Sequence, residues 1–368
     1  MAARLTTVTI AASGLGTADA GAASVLRIAN QSDYDHYDGT SYYGDVWAFE
    51  ALTCNALLDY PETTAPDRES PRPGVAADMP VVSADGRTYT FTIRRGVRFS
   101  DGRELTPQDV VGTYERMLDP APGFNALGSG YYDVIEGFQR YTAVDRRGRP
   151  LAGNAHHLAG ITVSGQQVRF RLARPDPTFL YAVAMRFACI VPADSPHRHT
   201  TLPPPTTGPY RFSRVAPRLG FTIVRNPIWP ANVAAGMIQD PGAYSLEEID
   251  YSIRSPRRIL AGLIRGTLDA NPDGASLAGT SAKALAPSVR RRIISRPDAA
   301  TSYLSFGAGR RSPFRNVNLR RAMSLAIDRR ALVAISGGPL HGTVWSQFLP
   351  AALLAPRAPD PSTPPVPT

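Results

Sequence analysis

"RTYTFTIRRGVRFSDGRELTPQDVVGTYERML", residues 87–118, reads as a strand followed by a turn and a helix. Tyr89 and Phe91 alternate with threonines, and this period of two predicts a strand with one buried face. Gly86 closes a tight turn with the preceding aspartate, because glycine accepts positive φ. The strand is therefore predicted to form a hairpin with residues 81–82.

The helix of this stretch is predicted to begin at Pro107, a residue type that suits the first helical position. Thr106 can accept a hydrogen bond from a free N–H of the first turn, and Asp109 lies at the positive end of the helix dipole. The stretch has no catalytic character and is predicted to be scaffold. The apolar residues on one face of the helix are Val110, Val111, Tyr114, Met117 and Leu118.

Strand and helix patterns alternate along the rest of the chain, and this mixture predicts an α/β architecture. Gly266 occupies the position after a helix where a left-handed residue is common. Strands are predicted at 25–29, 161–163, 168–172 and 249–253, and helices at 46–58, 256–265 and 319–327.

The composition is that of a folded globular protein, with 43% hydrophobic and 19% charged residues among 368. The net charge is +9, but the arginines are scattered rather than gathered on one helix or tail. This pattern favours a basic solvated surface over a nucleic-acid partner. No apolar run reaches eighteen residues, so no membrane-spanning helix is expected.

The N-terminus resembles a secretory signal. It has an early arginine, a mildly apolar middle and the small-x-small site Ala18-Asp19-Ala20, which together predict a signal peptide at residues 1–23. The middle is rich in threonine and glycine, so a cytosolic N-terminus is the alternative. Export to the periplasm or cell surface is expected.

The two cysteines, Cys54 and Cys189, are an even number, and an exported chain permits one disulfide between them. The alternative is two small buried hydrophobic residues. Both cysteines have apolar surroundings and no other thiol competes, so the disulfide is the prediction. Two thiols without a nearby histidine do not predict a metal site.

Enzyme motifs are weak. Residues 274–278 fail the Gly-x-Ser-x-Gly pattern at its last position. The histidines of 156–157 and 197–199 lie in loop-like sequence without a carboxylate or cysteine at ligand spacing, which favours solvated histidines over metal ligands. No catalytic residue, metal or other cofactor is predicted, and a secreted hydrolase remains the less favoured alternative.

Four blocks in this order resemble the family 5 solute-binding proteins of ABC importers, which are receptors for peptides, nickel and related solutes. The blocks are "VVSADGRTYTFTIRRGVRFSDGRELTPQDVVGTYERML", "TTGPYRFSRVAPRLGFTIVRNPIW", "IRGTLDA" and "PFRNVNLRRAMSLAIDRRALV", which together lie within residues 81–333.

The resemblance implies a periplasmic binding protein-like type II fold with two lobes and an inserted domain. The opening stretch then belongs to the inserted domain, as framework rather than as a ligand site. The expected boundaries are a signal peptide at 1–23, lobe I at 24–50 and 160–247, the inserted domain at 51–159, a partial second lobe at 248–354 and a Pro-rich disordered tail at 355–368.

The resemblance also implies binding of a peptide or other small solute and its delivery to the permease subunits of an ABC transporter. The loop after the first strand lies where such proteins place a cleft-facing loop, although ordinary surface aromatics and a core tryptophan are an equal alternative. Tyr210 is expected beneath the cleft. The candidate ligand-binding residues are Asp38, Tyr42, Tyr43, Trp47, Tyr210 and Trp345.

Two departures from the family pattern affect the expected function. Phe306-Gly307 stands where the family usually has Phe-Asn, and the chain becomes proline-rich after residues 348–350, where relatives continue. The second lobe is therefore expected to be incomplete, and the chain alone is expected to bind peptides weakly or not at all. A truncated, non-binding relic is the corresponding alternative.

Overall fold

In a computed structural model, which describes most of the residues, the chain forms two compact units. Unit 1 comprises 1–22, 26–33 and 250–368, and unit 2 comprises 23–25 and 34–249. The described residues are 2–11, 24–31, 37–38, 47–60, 70–120, 129–151, 154–155, 157–198, 200, 202–237, 245–272, 286–307, 309–336, 338–340, 342–345 and 349.

The described part contains both strands and helices along its whole length. The strands are β1 (Ala2–Ala11), β2 (Val25–Asn30), β3 (Leu58–Asp59), β4 (Arg72–Pro73), β5 (Val81–Val82), β6 (Thr88–Thr92), β7 (Ile161–Ser164), β8 (Gln167–Arg171), β9 (Tyr210–Ala216), β10 (Gly220–Arg225), β11 (Glu248–Ile253), β12 (Ala270–Asn271), β13 (Ile293–Tyr303) and β14 (Gly342–Trp345). The α-helices are α1 (Trp47–Thr53), α2 (Pro107–Met117), α3 (Phe138–Tyr141), α4 (Phe179–Val183), α5 (Trp229–Ala234), α6 (Pro256–Arg265), α7 (Pro287–Arg290), α8 (Val317–Ala326) and α9 (Arg329–Ile335).

Unit 2 contains the hairpin and the helix of the opening stretch. Strands β5 and β6 pair antiparallel, with Val82 opposite Tyr89. Helix α2 begins with a capping box, in which the Asp109 carboxylate accepts from Thr106 N at 2.7 Å and from Thr106 Oγ1 at 2.8 Å. The same carboxylate accepts from Ala193 N at 2.8 Å, so the cap also fixes a distant segment.

The hairpin β7–β8 belongs to the same four-stranded sheet as β5 and β6. The strand order is β5-β6-β8-β7, and β6 pairs antiparallel with β8, with Phe91 opposite Val168. Residues 160–247, which include β7 and β8, are predicted from the sequence to belong to lobe I. In the structure the apolar side chains of β7 and β8 lie in the same core as those of β6.

Helix α1 is shorter than the predicted 46–58. It ends at Thr53, and Leu58 lies instead in β3, where it pairs with Pro73 of β4. Between these elements the Asp59 carboxylate accepts from Ala56 N at 3.0 Å and from Asn55 Nδ2 at 3.1 Å. A local turn and a non-local strand pairing therefore replace the last turns of the predicted helix.

Unit 1 contains the strands at both ends of the sequence. Its strand order is β13-β1-β12-β2, and β14 also pairs with β1. Residues 2–11, part of the predicted signal peptide, form β1, in which Val8 lies opposite Ser295 of β13. Export stays a prediction from the sequence.

The helices of unit 1 differ in how deeply they pack. Helix α6 buries Ile259 and Leu263 and ends at Gly266, which has the left-handed φ of 72° that glycine permits. Helices α8 and α9 have side-chain caps from Asn316 and Asp328, but neither contains a buried residue in the part that the structure describes. The proline-rich residues 355–368 lie outside the described residues.

Candidate functional site

The segment after β2 is fixed in unit 2 by an aromatic cluster. Tyr37 is 6% exposed, and its ring packs edge-on against Phe221 with 5.2 Å between centroids. Phe49 of α1 packs against Phe221 at 4.7 Å and against Phe212 at 5.7 Å. These rings bind the segment after β2 to helix α1 and to the β9–β10 hairpin, because aromatic pairs of this geometry add to the burial of area.

Asp38, the next residue, forms a buried ion pair with Arg116 of α2. The side chains are 2% and 1% exposed. Arg116 Nη1 donates to Asp38 Oδ1 at 3.2 Å, and Nη2 donates to Oδ2, while Arg116 Nε donates to the carbonyl oxygen of Pro196 at 2.9 Å. Both oxygens of Asp38 are thereby occupied by the guanidinium fork. The pair joins Asp38 to helix α2.

Glu50 lies on α1 close to this pair and is 2% exposed. Neither carboxyl oxygen has a hydrogen-bond partner among the described residues. Burial raises the pKa of Glu50 well above its ordinary value. Arg186 lowers the pKa and Asp38 raises it, but both effects are smaller than that of burial. Glu50 therefore keeps its proton at pH values at which a surface glutamate is ionised.

Cys54 and Cys189 are joined by a disulfide in the structure, with 5.5 Å between their Cα atoms. Cys54 follows α1 directly, and its N–H donates to the carbonyl oxygen of Glu50 at 2.8 Å. Val191 packs against both cysteines. The bond attaches the end of α1 to the chain 135 residues further on.

A small recess lies beside the disulfide, with room for about one water-sized group. Its wall combines aromatic rings, prolines, two carboxyl groups and two threonines. The lining residues are Tyr37, Asp38, Glu50, Thr53, Cys54, Cys189, Val191, Pro203, Pro204, Thr206 and Phe212.

A second recess shares Cys54 and has a more polar wall, which includes Asn55, Asp59, Arg72 and Arg186. Burial raises the pKa of Asp59, and the hydrogen bond from Ala56 N is the largest of the opposing effects. Gly74 also lines this recess, and a Cβ there would lie 2.4 Å from the carbonyl oxygen of Ala56. Only glycine fits at this close approach.

Two of the candidate ligand residues predicted from the sequence are buried in unit 2. Asp38 is committed to Arg116, as above. Tyr210 is 2% exposed, and its hydroxyl donates to the carbonyl oxygen of Leu246 at 3.1 Å and accepts from Leu246 N at 3.0 Å. Both side chains are thus hydrogen-bonded within unit 2, and their contact with a solute stays a prediction.

Of the other four candidate ligand residues, the structure describes two. Trp47 is the first residue of α1, and Tyr42 and Tyr43 lie outside the described residues. Trp345 belongs to β14 of unit 1, where its Nε1 donates to the carbonyl oxygen of Leu349 at 2.8 Å.

Sequence reasoning missed Glu50, Arg116 and Arg186. Glu50 carries a local signal, because it is an acid inside the otherwise apolar run from Trp47 to Leu52. Arg116 carries none, since its partner Asp38 lies 78 residues away. Only the tertiary fold brings these charges together.

The two described histidines pair with carboxylates. His157 Nδ1 lies 3.2 Å from Glu115 Oε1, and His197 Nδ1 contacts Asp119 Oδ2. Over the described ranges, no group of three or more His, Cys, Asp or Glu side chains is arranged to hold a metal ion. A search of the same residues finds no helix with the length and apolarity needed to cross a membrane.

The described residues form mixed sheets and helices, which is an α/β architecture. Residues 70–362 match the family described as bacterial extracellular solute-binding proteins, family 5 Middle, and the chain belongs to this family. The sequence resemblance and the fold class expected from it are thereby confirmed.

Several relatives and solved structures resemble the chain. Heme-binding protein A of Haemophilus influenzae is 26% identical over 294 residues, which cover 72% of this chain and 48% of the relative. Di/tripeptide-binding protein 4 of Pseudomonas aeruginosa is 29% identical over 232 residues, covering 58% and 40%. The structure of Listeria monocytogenes OppA bound to peptide covers 90% of this chain and 61% of that protein, with a TM-score of 0.60 and 16% identity, a likeness of fold. The chain spans about half the length of the curated relatives it matches.

Proposed function

We propose that this protein is the extracellular solute-binding component of an ABC importer and that its solute is a peptide or another small molecule. The family match over residues 70–362 carries the proposal. The relatives include heme-binding and di/tripeptide-binding proteins, which supports a small solute without selecting one. The proposed role is binding and delivery to permease subunits, without a catalytic step.

Within this function, Asp38 and Tyr210 are proposed to support the site rather than to contact the solute. The Asp38 oxygens are paired with Arg116, and the Tyr210 hydroxyl is paired with Leu246, so neither has a strong interaction left to offer. Tyr42, Tyr43, Trp47 and Trp345 stay proposed as the aromatic contacts, since aromatic walls with a few polar groups are typical of such sites.

Calorimetry of the purified 368-residue chain tests the proposal. The chain is titrated with a library of di- and tripeptides and, separately, with hemin, up to millimolar concentration. Saturable binding of any of these supports the function, and sub-micromolar binding would also contradict the weak affinity expected from the sequence. Turnover of the peptides by the purified chain would overturn it, as would absence of saturable binding by a chain to which a full-length C-terminal region of the family has been restored.

Alanine variants then test the aromatic contacts. Tyr42→Ala and Tyr43→Ala are expected to weaken binding about tenfold or more, equivalent to about 1.4 kcal/mol. Tyr181→Ala is the matched control, because Tyr181 is 51% exposed on α4 and belongs to no proposed contact. Equal affinities for all three variants would remove the two tyrosines from the site.

A further inference from the structure

Helices α8 and α9, residues 317–335, form a surface that the described part of the chain does not cover. Neither helix contains a buried residue among those that the structure describes. Leu325 of α8 and Ile335 of α9 are exposed, Ile335 by 74%. Arg329 Nη2 of α9 donates to Ser324 Oγ of α8 at 2.8 Å, which joins the two helices. Exposed apolar side chains with polar residues around them are typical of interaction surfaces.

The charge of this surface is almost entirely positive. Residues 309–336 contain seven arginines and one acid, Asp328, whereas the whole chain has 40 basic and 31 acidic residues. The Asp328 carboxylate accepts from Ala331 N at 2.9 Å as the cap of α9. Arg321 and Arg330 are exposed, and neither forms an ion pair with a residue that the structure describes. The α8–α9 surface therefore combines apolar side chains with uncompensated positive charge.

This combination distinguishes between the partners that could cover the surface. A second copy of the chain would bring two sets of arginines together, and like charges repel each other. A nucleic acid would pair with the arginines but would leave the apolar side chains in water. An anionic membrane surface suits both kinds of side chain. Basic amphipathic helices bury their apolar residues at the headgroup boundary, while anionic headgroups attract their arginines.

We propose that the α8–α9 surface binds an anionic phospholipid membrane surface. Ile335 and the other exposed apolar side chains of the two helices enter the headgroup region, and Arg321 and Arg330 pair with lipid phosphates. This attachment goes beyond the proposed solute binding and does not depend on it. It would hold a solute-binding component close to the membrane that contains its permease.

Co-sedimentation of the full chain with phospholipid vesicles is the direct test. Vesicles of phosphatidylglycerol and phosphatidylcholine in equal parts are expected to bind the protein at least about tenfold more tightly than vesicles of phosphatidylcholine alone. Added salt should weaken the binding, because it screens the charges. Equal binding to both kinds of vesicle, or no binding to the anionic ones, would overturn the proposal. No solute is present, so either result leaves the proposed function untouched.

Two pairs of arginine substitutions separate this surface from a general charge effect. Arg321→Gln with Arg330→Gln is expected to weaken vesicle binding about tenfold or more, since each arginine near an anionic surface contributes about fivefold. Arg146→Gln with Arg147→Gln is the matched control, because it removes the same charge from an exposed turn of unit 2. Equal losses in the two double variants would show that α8 and α9 are not the binding surface.

The apolar contribution has its own matched pair of variants. Ile335→Ser is expected to weaken binding to anionic vesicles about fivefold, because the isoleucine side chain leaves water on binding. Val81→Ser is expected to bind as the wild type does, and it is a suitable control because Val81 of β5 is also 74% exposed. Unchanged binding by Ile335→Ser would show that charge alone is recognised, as by a nucleic acid, and would contradict the proposal.

Analytical ultracentrifugation and hydrogen exchange in lipid-free buffer test the other occupants of the surface. The chain is expected to be a monomer whose α8 amides exchange rapidly and become protected when anionic vesicles are added. A dimer that does not bind the vesicles would assign the surface to a second copy. Protected α8 amides in the lipid-free monomer would show that another segment of the chain covers the surface. Either result would overturn the proposal.

Discussion

Helix α2 of unit 2 and helix α8 of unit 1 have eleven and ten residues, and each begins with a side-chain cap. Seven residues of α2 are buried, whereas none of α8 is buried among the described residues. Leu325 of α8 is 67% exposed, while Met117 of α2 is fully buried. Both helices therefore have a cap and an amphipathic pattern. Helix α2 is stabilised in addition because neighbouring elements bury its apolar face, whereas the described residues bury no side chain of α8.

The two units also differ in how many stabilising contacts their described residues form. The described part of unit 2 contains the disulfide, the Asp38–Arg116 pair and the large apolar core that includes Phe91, Tyr114 and Phe170. Among the residues whose side chains the structure describes, the core cluster of unit 1 is smaller and includes Ile259, Leu263 and Leu268. Perturbations of unit 2 are expected to have the larger effects on stability.

The largest effect is expected on removal of the disulfide. The double variant Cys54→Ser with Cys189→Ser is expected to lose about 4 to 5 kcal/mol of unfolding free energy in the chain-entropy model, because the bond closes a long loop. Urea unfolding followed by tryptophan fluorescence measures the loss. A Trp345→Phe background confines the signal to the tryptophans of unit 2.

Chemical tests accompany this variant. Non-reducing mass spectrometry of exported protein is expected to find no free thiol, and reduced wild type should match the double variant in stability. Two free thiols in the exported protein would refute the bridge. Unchanged stability on reduction would contradict its structural role and weaken the contrast between the units.

The next effect concerns the buried ion pair. Arg116→Met is expected to cost about 3 to 5 kcal/mol because it removes the guanidinium group that pairs with the buried Asp38 carboxylate. Arg27→Met in unit 1 breaks an ion pair whose Arg27 side chain is 53% exposed, and it is expected to cost less than about 1 kcal/mol. The double variant Asp38→Leu with Arg116→Met should regain most of the loss. A loss in the double variant as large as that in Arg116→Met would contradict this account.

The two helices themselves provide a matched pair of substitutions. Met117→Ala is expected to destabilise the protein by about 2 to 5 kcal/mol, because it removes buried methylene groups and leaves a cavity. Leu325→Ala is expected to change stability by no more than about 0.5 kcal/mol, since the side chain is exposed. Hydrogen exchange on the same proteins should show α2 amides better protected than those of α8. Equal losses would show that partners cover α8 in solution.

The last expected effect is a pH dependence at Glu50. The pKa of Glu50 is raised in the folded state, so the unfolded state releases its proton first, near its ordinary pKa of about 4.3. Stability therefore falls as pH rises from there to the folded-state pKa, by up to about 1.4 kcal/mol per pH unit, and stays reduced above it. Glu50→Gln should remove this slope and be the more stable protein at alkaline pH. Parallel profiles for both proteins would show that Glu50 ionises normally.

Local physical chemistry in the sequence was sufficient for many elements. The capping box at Thr106, the hairpin of residues 81–92 and the helix ending at Gly266 all depend on residues close in sequence. Turn propensity, capping and a period of two or 3.6 act within such short segments, and the structure forms these elements as predicted. The ordered set of blocks was also sufficient to indicate the family.

Tertiary structure alone decided the end of α1, the place of the β7–β8 hairpin and the partners of the buried charges. Helix α1 ends early because Leu58 pairs with Pro73, and β8 joins β6 because their apolar faces share one core. Asp38 pairs with Arg116, and the recess at Glu50 is lined by residues from α1 and from the segment around Cys189. Each of these contacts joins residues that are far apart in the sequence. A local sequence pattern does not specify which of these segments will pack against each other and exclude water.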